Sequence, residues 1–143
     1  VARFVGEKLA PYCSYLLIEN GGDIFIRSRF KRTVGVYAGS SPLSMKLGLR
    51  LEPAPEGIGV CTSSATVGHS LSLGKADAVL IIAESPALAD AVATATCNRV
   101  TLPSTLEGAL NFATSIPGVM GALIVLGNRV ATSGKAFELV QLD

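Results

Sequence analysis

The four residues Asn20-Gly21-Gly22-Asp23 do most to restrict the fold. They separate two apolar runs rich in β-formers. Asn-Gly between such runs is a strong hairpin signal, because the central residues of a tight turn need positive φ. The sequence therefore predicts adjacent antiparallel strands over residues 14–19 and 24–28. Further strand-like runs cover residues 33–38, 44–51, 59–63 and 76–83, the last of them apolar but for Asp77. A turn at Gly39-Ser40-Ser41-Pro42 and a loop with Pro53, Pro55 and Gly57 punctuate them. Ser85-Pro86 starts a helix, with Ser as N-cap and Pro as first residue, that runs to about residue 98. Pro103-Ser104 opens another, over residues 104–114. After the Pro117-Gly118 turn, residues 119–126 and 136–141 read as a closing hairpin around 128–134. Strands cluster and helices stand apart from them. The expected fold is therefore α+β, with antiparallel sheet and helices packed on one side.

At 143 residues the chain is the size of one domain, and 1–143 is read as a single unit. Hydrophobic residues make up 49% and charged residues 16%, enough for a real core. A net charge of +1 argues for neither nucleic acid nor an anionic membrane as partner. The local exception is Arg27-Ser28-Arg29-Phe30-Lys31-Arg32. On a strand, Arg27, Arg29 and Lys31 would share a face that could meet phosphate. The alternative is a solvated hairpin edge guarded by charge. Cys13, Cys61 and Cys97 are far apart and have no zinc-ligand spacing. They read as reduced, buried thiols of a cytoplasmic protein. The apolar runs fall far short of the ~20 residues a membrane helix needs. The opening VARFVGEKLA is helical from its first residue, with Val1, Phe4, Val5 and Leu9 on one stripe and no N-cap before it. It reads as cut inside a helix, so a longer protein is expected. An N-terminal part would then come from another chain, or the chain would be a homo-oligomer.

Three places could carry chemistry. At the first, Gly21 and Gly22 allow close backbone approach to a ligand, with Asp23 at the strand entrance to bind a hydroxyl. A plain hairpin turn with a solvated Asp explains the same residues. The second is Cys61-Thr62-Ser63-Ser64-Ala65-Thr66-Val67-Gly68-His69-Ser70. Its hydroxyls and free amides could cradle an anion, and His69 could be donor or general base. His69 could equally be structural. A P-loop is excluded, since five residues separate Gly68 from Gly74 and Ala76 follows Lys75 where a hydroxyl is required. A triad of Ser64, His69 and Asp77 lacks the G-x-S-x-G elbow. The third is Asp90 and Thr94, one helical turn apart on an alanine-rich helix. A carboxylate there is costly unless paired, and a hard cation could pair it, with Thr94 as hydroxyl ligand. Stabilisation of the helix dipole by Asp90 is the competing explanation.

Taken in order, N-G-G-D-I, the T-S-S/His loop and A-D-A-x-A-T-A resemble the ApbE superfamily, the magnesium-dependent FAD:protein FMN transferases. The likeness is closest to an uncharacterised ApbE-related family, through IENGGDIFI, VYAGSSPLS, GVCTSSATVGHSLSLGKADAV and ALADAVATATCN. It is dense over residues 15–98 and loose beyond. The resemblance implies Mg²⁺ held by Asp90 and Thr94. It implies a nucleotide site at Gly21, Gly22 and Asp23, and an FAD pyrophosphate region at Thr62, Ser63 and Ser64. His69 takes the place of the transferases' downstream histidine only loosely. The implied ligand is FAD, FMN or another phosphorylated small molecule, and the implied reaction a transfer at a pyrophosphate. There are departures. T-S-G has become T-S-S, and the H-x-x-D-P segment is missing after His69. Nucleotide and metal binding therefore carry over better than flavin transfer. A non-catalytic binding or assembly module that keeps the fold is the alternative.

Overall fold

The computed structural model of the chain describes residues 1–67 and 73–143. Within them the expected hairpin forms. Strands β1 (Tyr15–Asn20) and β2 (Asp23–Ser28) pair antiparallel, from Tyr15 opposite Ser28 to Asn20 opposite Asp23. Gly21 and Gly22 take φ of 63° and 95° at the turn, where a side chain would be strained.

Seven more strands follow: β3 (Arg32–Gly35), β4 (Leu47–Leu51), β5 (Ala54–Ser63), β6 (Ala78–Ala83), β7 (Val119–Leu126), β8 (Arg129–Gly134) and β9 (Phe137–Gln141). They form a six-stranded sheet in the order β1-β2-β5-β6-β7-β8 and a three-stranded sheet β3-β4-β9, antiparallel throughout. Helices α2 (Pro86–Cys97) and α3 (Leu106–Ser115) cover one face of the large sheet, and the small sheet covers the other. The expected α+β class is the one observed.

This layering explains why β6 is apolar at every position. Val79, Ile81 and Ala83 pack under the helices, while Ala78, Leu80 and Ile82 pack against Val36, Leu49 and Leu51 on the small-sheet side. A central strand buried on both faces loses the alternation of a half-buried one. Ser85 caps α2 by accepting from the Leu88 amide at 3.3 Å, with Pro86 in the first turn as its sequence predicts.

Several expectations need correction. Strand β5 begins at Ala54 and takes in Pro55, which was expected in a loop. The register with β2 shifts between Ile26 and Ser28, and Arg27 donates to the Pro55 carbonyl at 2.8 Å, so the missing proline amide falls at the irregularity. The closing hairpin does not join residues 119–126 to 136–141. Instead, β7 pairs with β8 across a turn at Gly127, and β9 crosses to pair with β4 in the other sheet. Strand β8 is polar and largely exposed at the sheet edge, so it carries no core pattern.

Helix α1 (Ala2–Leu9) turns its small residues inward. Ala2 and Gly6 are buried, while Val1 and Phe4 are 86% and 67% exposed. A Cβ on Gly6 would collide with the Phe25 ring, so only glycine lets the helix lie this close to β2. The stripe of Val1, Phe4, Val5 and Leu9 is therefore mostly outside. The basic run is divided among structural tasks. Arg27 donates to the Pro55 and Ala10 carbonyls, Lys31 pairs with Glu52 at 3.2 Å, and Arg32 lies 4.2 Å from the Tyr15 ring. Strand β2 ends at Ser28, so Arg29 and Lys31 do not extend a strand face with Arg27.

Candidate functional site

Asp23 is the first residue of β2 and stands directly opposite Cys61 of β5. Directly opposed residues project to the same face of a sheet. For Cys61 that is the face covered by α2. The Cys61 thiol donates to Asp23 Oδ1 at 3.3 Å and lies 3.6 Å from Asp90 Oδ1, which descends from α2. One ligand atom from each of Asp23, Cys61 and Asp90 falls within 4.8 Å of the others. The sulfur forms a buried floor, Asp23 is half-buried, and Asp90 is exposed at the rim.

Two carboxylates and a desolvated sulfur determine the electrostatics. Burial, then the hydrogen bond and charge of Asp23, then the charge of Asp90, push the Cys61 thiol far above its ordinary value. It is held as a protonated donor between two acceptors. Ion pairs among the described residues join Arg3 to Glu7, Lys31 to Glu52 and Arg50 to Glu138, and none reaches Asp23 or Asp90. The cluster can receive a cation: its carboxylates suit Mg²⁺, Mn²⁺ or Ca²⁺, and its sulfur suits softer ions.

The other expected site residues are distributed as follows. Gly21 and Gly22 form the turn beside Asp23, and a Cβ at either would meet nothing within 4 Å. Their backbone is therefore open to approach. Thr94 lies one turn beyond Asp90 on α2 and is exposed. Thr62 and Ser64 do not join the cluster. They line a cleft of about 210 Å³ with Gly35, Tyr37 and Val67. Cys61 and Thr62 are consecutive on β5, so their side chains leave by opposite faces. Ser63 returns to the Cys61 face by the same alternation. The Ser64 hydroxyl accepts from the Thr66 and Val67 amides at 3.1 and 2.9 Å and so shapes the turn. Asp77 accepts from Thr66 Oγ1 at 3.3 Å and from the Gly127 amide at 2.7 Å, an anchoring role. His69 lies outside the described residues.

The sequence reads Cys61 as a buried thiol at the head of the hydroxyl-rich segment, not as a partner of Asp23. Its place in the site follows from the register between β2 and β5, which sets it against Asp23 rather than one residue to either side.

A family model described as AbpE bacteria matches residues 1–130. The chain belongs to that family. Similar proteins include UPF0280 proteins of several organisms. That of Methanocella arvoryzae is 45% identical over 137 residues, covering 96% of this chain and 56% of the relative. That of Methanocaldococcus jannaschii is 44% identical over 133 residues, covering 90% and 54%. The chain spans about half the length of the curated relatives it matches. No helix of the described residues is long and apolar enough to cross a membrane.

Proposed function

We propose that this AbpE bacteria family member binds a divalent cation such as Mg²⁺ between Asp23 and Asp90. With it the protein binds a phosphorylated small molecule of nucleotide or flavin type, as a transferase acting at a pyrophosphate. The observation that carries this reading is the convergence of two carboxylates, from a hairpin and from a helix, on one buried thiol with no ion-pair partner among the described residues. Two such charges repel at this range, and a divalent ion relieves that repulsion.

The residues present fit such an ion. Asp23 and Asp90 would hold it, with the Thr94 hydroxyl one turn away from Asp90 on the same helix. When bound, the ion would supply neutralisation of pyrophosphate charge. The open backbone at Gly21 and Gly22 lets a ligand approach Asp23 closely. Backbone amides near the end of β5 would orient the phosphates.

A second reading keeps the fold as a non-catalytic binding or assembly module. The observation favouring it is that Thr62 and Ser64 line the cleft on the opposite face of β5 from the acidic cluster. In that arrangement these hydroxyls do not share one ligand with Asp90.

Thermal shifts with FAD, FMN and ADP, with and without Mg²⁺, separate the two. Stabilisation that needs both nucleotide and cation, and that is lost in folded Asp90→Asn and Asp23→Asn, is the expected result. A flat response of the wild-type chain to every combination would favour the module.

A further inference from the structure

We propose that the Cys61 thiolate is the third protein ligand of this cation site and biases it toward thiophilic ions such as Zn²⁺ or Co²⁺ over Mg²⁺. The inference rests on the cation site described above and concerns which metal that site selects.

The geometry is that of a coordination edge. With metal–sulfur bonds of about 2.3 Å and metal–oxygen bonds of about 2.1 Å, angles between 90° and tetrahedral separate sulfur from oxygen by about 3.1–3.6 Å. The two separations from Cys61 Sγ are 3.3 Å to Asp23 and 3.6 Å to Asp90. The carboxylate oxygens of Asp23 and Asp90 lie within 4.8 Å of each other, so a cation could enter among the three atoms as the two carboxylates close on it. The Cys61 proton would pass to solvent as the metal–sulfur bond forms.

Three further observations agree. Each ligand comes from a different element, β2, β5 and α2, so the site is built by the tertiary fold and not by one loop. Cys61 is 3% exposed, so its sulfur is held in place by the core. Three protein ligands with an exposed rim at Asp90 leave coordination positions open to an incoming ligand, as in reactive metal sites. Magnesium gains little from sulfur, whereas zinc and cobalt gain much, so the thiolate sets the preference.

The test uses the whole 143-residue chain and Co²⁺ alone as probe. A near-ultraviolet sulfur-to-cobalt charge-transfer band is expected on titration. It should vanish in Cys61→Ser and persist in Cys13→Ser and Cys97→Ser. Calorimetry of Cys61→Ser should show Zn²⁺ affinity reduced by more than the roughly 10–100-fold that loss of an outer-shell partner costs. Mg²⁺ affinity should change by less than about threefold. Circular dichroism confirms the fold, and Cys61→Ala gives a second variant should serine disturb it. If cobalt binds without the band, or the band survives Cys61→Ser, the thiolate ligand is overturned while the cation site stands. If no divalent ion binds the wild-type chain, both fall.

Discussion

Asp23 and Cys61 face each other across the β2–β5 ladder, and the thiol donates to Asp23 Oδ1 at 3.3 Å. The pair fixes the protonation of a buried group, and this has a consequence for stability. Desolvation, then Asp23, then Asp90 raise the folded thiol above its ordinary value of 9.0. A group raised on folding contributes its full stability below its unfolded value and loses it as pH climbs toward the folded one. The metal-free wild-type chain should therefore lose stability above about pH 9, with Cys61 contributing a slope of up to about 1.4 kcal/mol per pH unit. Cys61→Ser should lack that component, whatever other groups titrate in the same range. Urea midpoints of both proteins at pH 8 and pH 10 check this. Parallel losses in the two proteins would show that the thiol is not so held.

The hairpin and the β6 core were legible because each follows from local chemistry. Gly21 and Gly22 supply positive φ, and β6 has no polar position to place in water. What escaped depends on what each segment packs beside. The polar β8 carries no core pattern and is a strand only because β7 lies beside it. Likewise, β9 leaves its sequence neighbours for β4. The orientation of α1 is set by Gly6 against Phe25, a contact that the stripe of larger residues does not reveal. At the site, Asp90 was found through its spacing to Thr94. The opposite faces taken by Cys61 and Thr62 required the strand register.

The turn beside Asp23 discriminates between residue types. Gly21 at φ 63° occupies the left-handed helical region that asparagine tolerates, whereas Gly22 at φ 95° is farther from what a branched side chain accepts. Gly21→Asn should be tolerated to within about 0.5 kcal/mol, and Gly22→Val should cost about 1–2 kcal/mol. Because a Cβ at either position meets no atom within 4 Å, the cost is conformational and not steric. Guanidinium denaturation of the two variants measures the difference. Equal costs would mean that the turn has another geometry.

Gly59 determines how deeply α2 sits on β5. A Cβ there would collide with the backbone of Ser85 and Pro86 at the start of the helix, and backbone has no rotamer by which to yield. Gly59 and Cys61 share a strand face, and Asp90 reaches Cys61 from the turn of α2 that follows this contact. Gly59→Ala should cost about 3 kcal/mol by forced overpacking. It should also lift Asp90 away from Cys61, so divalent-ion affinity falls together with stability. Gly108, on the outer side of α3 with nothing within 4 Å of a Cβ, provides the control. Gly108→Ala should gain about 0.5–1 kcal/mol from helix propensity and leave ion binding unchanged. Denaturant midpoints and cation titrations of the two variants check both halves. A Gly59→Ala protein as stable as wild type would show that α2 does not rest on this strand at contact distance.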